Sequence, residues 1–277
     1  MPVIAFTQEM GSLAKDVALR LAEEMKLDTL RHEVVEHAAS LMHVPKSLIN
    51  RLREGKAGPI ERLKVDRQSL AVYAAEELLE AAARGNIILR GWGATCLLRP
   101  VPHVLCVRVT RSFDRRVDWL MSHFETDDRD FAESEVRRSD HAHASRMHEL
   151  FGVTWGDPLL YDLVLNTDRL SIDSCVQTIR HLVGQPEFAE TPESAAQIAG
   201  MAIEAHVRSA LRTNEQTHGV SITIECRHGR VALSGIVISE QERELAEQLA
   251  AAVPGVASVD NRLRVMRMPR IFPSSKT

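Results

Sequence analysis

Aromatic residues are scarce. Phe, Trp and Tyr make up 4% of 277 residues, which leaves no platform for stacking single-stranded nucleic acid. Cysteine is sparse as well: Cys96, Cys106, Cys175 and Cys226 lack C-x-x-C spacing, against a zinc knuckle or a disulfide framework. No apolar run approaches the ~20 residues of a membrane-spanning helix. The opening MPVIAFTQEM has neither the basic nor the apolar region of an export signal. A dominant charge is missing too. Lys+Arg total 34 against 38 Asp+Glu, a net charge of −4, which argues against a nucleic-acid partner held by bulk electrostatics. What is present is a globular balance, 44% hydrophobic and 26% charged, long enough for about two domains. The expectation is a reduced, cytoplasmic protein.

The two parts differ in pattern rather than charge. Residues 1–185 carry 24 basic and 27 acidic side chains, and residues 186–277 carry 10 and 11. In the first part short apolar runs (Val3–Thr7, Asn86–Leu89, His103–Thr110, Tyr161–Thr167) alternate with helical patterns at Leu13–Met25, Ser69–Arg84 and Ser171–Leu182. That alternation predicts a doubly wound parallel sheet. Gly85 is a natural helix stop. The charged, His-rich stretch Asp128–Leu150 reads as an exposed, mobile helical excursion. Gly184–Pro192, with two prolines and no apolar period, reads as a linker, followed by a helix from Glu193 to Arg212. Beyond it Val220–Glu225 alternates with period two, His228-Gly229 makes a hairpin turn, and Val231–Gly235 returns. A helix over Glu240–Ala252 and a strand over Val256–Val265 complete a small α+β unit. The predicted divisions are 1–185, a linker and helix over 186–218, the second domain over 219–267, and a basic tail over 268–277.

The first strand, Gly11-Ser12 and a helix have the layout of a phosphate-binding loop, in which backbone N–H groups and the helix dipole meet an anion. A full G-x-x-x-x-G-K-[ST] motif also supplies a lysine and a magnesium-binding hydroxyl. Here Gln8–Asp16 has one glycine, Ala14 stands at the lysine position, and Lys15 stands where the hydroxyl belongs. One residue further along a helix is a rotation of about 100°, so Lys15 is no simple substitute. On pattern alone an ordinary strand-to-helix turn is the commoner explanation.

Three further segments shift that balance: the helix ending in Leu21-Ala22-Glu23, Gly91-Trp92-Gly93-Ala94, and above all Trp155-Gly156-Asp157-Pro158 continuing to Asn166-Thr167. Together with the opening strand and Gly11-Ser12 they resemble the cytidylate kinase-like family, P-loop relatives of the nucleoside-monophosphate kinases. The resemblance covers about residues 1–185. It implies a three-layer α/β/α P-loop nucleotide-kinase-like domain with a parallel sheet, ATP phosphates at the first loop, a CMP-like acceptor in the cleft, and magnesium. It also implies a lid in the charged segment, whose arginines neutralise the transferring phosphoryl group. The nucleotide-binding set carried over is Gly11, Ser12, Leu13, Ala14, Lys15, Asp16, Gly91, Trp92, Gly93, Arg116, Asp140 and His143. Lys15, Arg116 and Arg138 are the candidates for a catalytic role. Departures fall on the charge-handling positions: Leu13 and Ala14 replace two glycines, Trp92 replaces an arginine, and His143 stands where an arginine follows Asp140. Arg116 matches. Loss of such charges costs orders of magnitude in phosphoryl transfer, so the preferred reading is a weak or non-catalytic nucleotide sensor. An active nucleoside-monophosphate kinase and a purely structural scaffold are the alternatives.

Other constellations read more plainly. His141 and His143, two apart on a helix, point about 200° from one another and cannot share an ion, so a solvated helix face is expected there. Asp127, Asp128 and Asp130, near the start of the lid segment, either help hold magnesium or, equally well, follow the preference for acidic charge at a helix N-terminus. Asp28, after the first helix, either faces an acceptor nucleotide or, as the commoner case, is loop polarity, and Trp92 either stacks on a base or packs the domain wall. In the second part Gly229–Gly235, the helix with Ala246 and Ala250, and Gly255–Val265 resemble the BON domain. That resemblance implies binding to a phospholipid surface or to a protein, and a peripheral place at the inner membrane face. Beyond Asp260 the charges are Arg262, Arg264, Arg267, Arg270 and Lys276, all basic; near anionic headgroups each is worth about 1 kcal/mol.

Overall fold

The computed structural model describes residues 1–30 and 33–266. The basic tail over 268–277 lies outside the described residues. The chain divides into two compact units, Met1–Ala202 and Ile203–Thr277.

In the first unit the elements run β1 (Val3–Gln8), α1 (Ala14–Met25), β2 (Asp28–Leu30), α2 (Glu33–Leu41), α3 (Lys46–Arg53), α4 (Pro59–Leu63), α5 (Arg67–Arg84), β3 (Ile87–Arg90) and α6 (Ala94–Leu98). They continue with β4 (Val104–Thr110), α7 (Phe113–Phe124), α8 (Arg129–Phe151), β5 (Leu163–Asn166) and α9 (Ile172–Val183). Five parallel strands form one sheet in the order β2-β3-β1-β4-β5. The central strands are apolar on both faces because both are covered, as parallel sheets require. Ile4, Phe6, Leu105 and Val107 pack with Val17, Leu21, Val176 and Ile179 of α1 and α9. On the other face the Cys106 thiol meets the Thr95 carbonyl of α6 at 3.5 Å. Helices on both faces of a parallel sheet make the expected three layers.

Two expectations need correction. Asp28 is not loop: it opens β2 and pairs beside Ile87. A three-residue edge strand is too short to show any period. The stretch after Asp128 is helical, but its exposure was overestimated, since Ala132, Val136, Ser139 and Met147 are buried. Ala132 and Ser139 dilute the apolar Val136 and Met147 in a stretch otherwise rich in charge, so hydropathy hides a face whose spacing is regular. Asp128 caps the helix by accepting from the Phe131 N–H at 2.9 Å.

Helix α10 (Pro192–Thr213) begins in the first unit and ends in the second. Beyond it come β6 (Ile222–Arg227), β7 (Arg230–Val237), α11 (Glu240–Ala251) and β8 (Ser258–Val265), in a sheet ordered β6-β7-β8. The β6–β7 hairpin turns on His228 (φ 51°) and Gly229 (φ 77°), two positive values that match strand twist in a two-residue loop. Gly229 is required twice over, because a Cβ there would lie 2.9 Å from the Gly255 carbonyl oxygen. α11 crosses over to make β8 parallel to β7, and Val207, Leu211, Ala246 and Ala250 close the core over the sheet. No described helix is long and apolar enough to cross a membrane.

Candidate functional site: the β1–α1 loop and its arginines

The loop leaves the centre of the sheet at Gln8 and enters α1 at Ala14. Gly11 has φ 77° and Leu13 has φ 62° and ψ 11°, so two left-handed residues bracket Ser12. Leucine there carries strain that glycine would not. Gly11 has a steric reason as well: a Cβ would lie 3.0 Å from the Arg116 carbonyl oxygen, because the first turn of α7 rests on the loop. Leu13 is the N-cap and has no side-chain oxygen, so the first N–H groups of α1 take no side-chain cap. The Ser12 hydroxyl is buried without a hydrogen-bond partner, while the Ser12 carbonyl accepts from Thr167 Oγ1 at 2.9 Å. Lys15 and Asp16 are exposed on the first turn of α1.

Glu9 is the hub beneath the loop. Its carboxylate accepts from Arg108 Nη2 at 2.5 Å, Thr110 Oγ1 at 2.7 Å and the Arg111 N–H at 3.2 Å. Arg116 Nε lies 3.7 Å from the same carboxylate. Arg116, nearly buried, also donates both terminal nitrogens to Asp140, each at 2.8 Å. Asp140 therefore neutralises the one arginine that the resemblance placed at the phosphate, and Glu9, already paired with Arg108, stands close behind it. The Arg108 guanidinium lies 4.6 Å from the Trp155 ring and 5.5 Å from the Tyr161 ring, and Trp155 Nε1 donates to Thr7 Oγ1 at 2.9 Å. The distinctive Trp155–Tyr161 segment thus clamps β4 and β1 behind the loop.

A second turn, Gly91-Trp92-Gly93, has φ values of 76°, 56° and 78° in succession. Phe151 closes on Gly93 so tightly that a Cβ would fall 2.5 Å from its ring. Trp92 packs the wall formed by Val35, Ile49 and Val65. Its indole N–H is buried without a partner, and Arg53 stands 6.0 Å from the ring centroid. α8 distributes the remaining candidates. Asp140 faces Arg116, but Arg138 bonds Glu135 and lies against Gly55, away from that pair. The solvated-face expectation for His143 is corrected: its ring stacks on Trp155 with centroids 5.1 Å apart. Burial, with the Arg146 charge behind it, pushes the imidazole down to about 4 and leaves it neutral at pH 7.

The structure therefore brings together Gly11–Asp16, Arg116 and Asp140, keeps Gly91–Gly93 as a separate turn against Phe151, and places His143 against Trp155. Sequence reasoning passed over Glu9, Arg108, Thr110, Arg53 and Arg146. Glu9 lay inside the quoted loop, but nothing local shows that one carboxylate collects donors from a strand about a hundred residues away.

A parallel sheet with this loop at its central strand, followed in sequence by a small β-β-α-β unit, defines a P-loop kinase-like protein with an appended module. Residues 3–169 match the cytidylate kinase-like family and residues 201–267 match the BON domain. The chain belongs to the cytidylate kinase-like family. No curated protein matches it. Among solved structures, an uncharacterized protein from Eubacterium ventriosum superposes with a TM-score of 0.52 at 17% identity, covering 66% of this chain and 98% of that one. Shikimate kinase from Bacteroides thetaiotaomicron gives 0.42 at 13% identity over 66% and 99%. Deoxyadenosine kinase from M. mycoides gives 0.38 at 8% identity over 65% and 98%.

Proposed function

We propose that the first unit binds a nucleoside phosphate at Gly11–Asp16 without efficient phosphoryl transfer, and that the BON domain carries this state to a protein or phospholipid partner. The observation that carries the reading is the pairing of Arg116 with Asp140 and Glu9. Phosphoryl transfer needs free cationic charge on the moving group, and here the matched arginine is already neutralised while His143 adds none. Binding is a lesser demand. The uncapped start of α1, the left-handed loop and the orphaned Ser12 hydroxyl suit phosphate oxygens. Magnesium fits less well, because the cation Lys15 stands where a hydroxyl ligand belongs; the ion would arrive on the nucleotide.

Thermal unfolding with millimolar ATP or CMP tests binding, since a ligand at 100 times its Kd adds about 2.7 kcal/mol. Stabilisation that Gly11→Ala abolishes, with no ADP formed from ATP, CMP and magnesium, supports the proposal. Absence of any shift removes it, and robust ADP formation replaces it with the active-kinase reading.

A further inference from the structure

The sheet of the second unit has two edges, and the chain treats them differently. On β6 the side chains of α10 close the outer backbone groups. Glu204 accepts from the Cys226 N–H at 2.7 Å, and Arg208 Nη1 donates to the Ile222 carbonyl at 3.3 Å. These two residues stand one turn apart on one face of the helix, so that edge is guarded against a further strand. β8 has no such cover. Ser258 and Met266 donate inward, to the Gly229 and Val237 carbonyls, so Val259, Asn261, Leu263 and Val265 turn their backbone groups outward. Among the described residues, the Leu263 N–H is the one outward group of that set with a partner, the Asn261 Oδ1 two residues back at 3.1 Å.

The open strand matches an inverted copy of itself. With a two-fold axis at Asn261, Asp260 falls opposite Arg262 of the second copy and Val259 falls opposite Leu263, so every pair shares a face. Asp260 and Arg262 are more than half exposed and already pair within the strand, Arg262 Nε to Asp260 Oδ2 at 2.8 Å. The axis turns that pair into a network of alternating sign, which favours cross-strand pairing. An axis at Arg262 would instead set that arginine against its own copy. Helix α11 repeats the symmetry. Asn261 Nδ2 donates to the Arg243 carbonyl at 3.1 Å and to Glu247 Oε2 at 2.8 Å, so the same axis passes between Arg243 and Glu247 and turns each towards the other's copy. We propose that β8 is the contact between two copies of this chain, paired antiparallel about Asn261, which joins their three-stranded sheets into one. On pairing, the Leu263 N–H exchanges the Asn261 side chain for the Val259 carbonyl of the second copy. A contact this short lies at the small end of specific interfaces, so the association is weak and concentration-dependent. It does not depend on nucleotide binding at the β1–α1 loop.

Sedimentation velocity of the full chain from low to high micromolar protein tests it. The 30.9 kDa monomer should give way to twice that mass as concentration rises. Asp260→Arg and Arg262→Asp each set like charges opposite one another, and each should weaken association about tenfold or more. Both side chains are exposed, so each variant should keep the parent Tm by circular dichroism. An equimolar mixture of the two variants places opposite charges across the axis again and should associate as the parent does. Mixing cannot restore the pair within one strand, so the rescue reports contact between copies. Hydrogen exchange of the parent supplies a backbone readout. The Asn261 and Val265 amides should slow as concentration rises, while the Cys226 amide, already closed by Glu204, should not. A single-chain mass at every concentration, association unchanged in either variant, a mixture no better than its components, or exchange at Asn261 that ignores concentration overturns the proposal.

Discussion

Replacing Asp140 by alanine removes the bidentate partner of Arg116. Its effect follows from the geometry. With charge centres about 4 Å apart at an effective dielectric near 20, the attraction is about 4 kcal/mol. The aspartate side chain is 30% exposed, and Glu9 stays 3.7 Å from Arg116 Nε, so the uncompensated charge is only partly orphaned. Leaving a buried charge without its partner costs about 3–5 kcal/mol when nothing else compensates it. Exposure and Glu9 reduce the expected loss to about 2 kcal/mol. For a unit of this size that lowers Tm by about 4–8 °C. All three tryptophans (Trp92, Trp119 and Trp155) belong to the first unit, so fluorescence during urea unfolding follows it alone. Arg116→Met and the double variant complete a cycle whose coupling should be about 1–2 kcal/mol. A coupling below about 0.5 kcal/mol would refute the claim that Asp140 neutralises Arg116, and with it the argument for impaired transfer.

Two further outcomes follow from the described contacts. Burial holds His143 at about 4 in the folded chain against 6.5 for an unperturbed histidine. A depressed histidine must charge on unfolding, so stability should fall as pH drops from 6.5 towards 4, by at most about 3 kcal/mol. His37 works the other way: its bond to Glu76 raises it, so its stabilisation is lost as pH rises through its folded value. The parent-minus-His143→Gln difference therefore isolates the acid limb, and an unchanged acid limb in the variant would contradict the burial argument. In the BON domain, Gly229→Ala drives a Cβ against the Gly255 carbonyl at positive φ, which should cost that unit about 2 kcal/mol or more. Far-UV circular dichroism should show an early transition while tryptophan fluorescence stays at the parent Tm; a shift of both together would mean the units do not unfold separately.

The sequence by itself determined the layers and the module. Apart from Arg108, Val104–Val109 is an apolar run and is buried on both faces, the composition that marks a central parallel strand. The hairpin at His228-Gly229 was equally legible, because a two-residue turn with glycine is a local signal. β2 escaped because three edge residues carry no period, and the buried stripe of α8 escaped because alanine and serine dilute its apolar residues in a charged stretch. The loop's departures, Leu13, Ala14 and Lys15, were readable as residue types. Only the tertiary structure decided what they face. Glu9 meets donors on β4, Asp140 folds back on Arg116, and Arg146 crosses to the end of α3. Such pairings join residues 24 to about 100 positions apart. They are set by where the sheet and α8 bring charges together, so a local pattern holds no record of which arginine is neutralised.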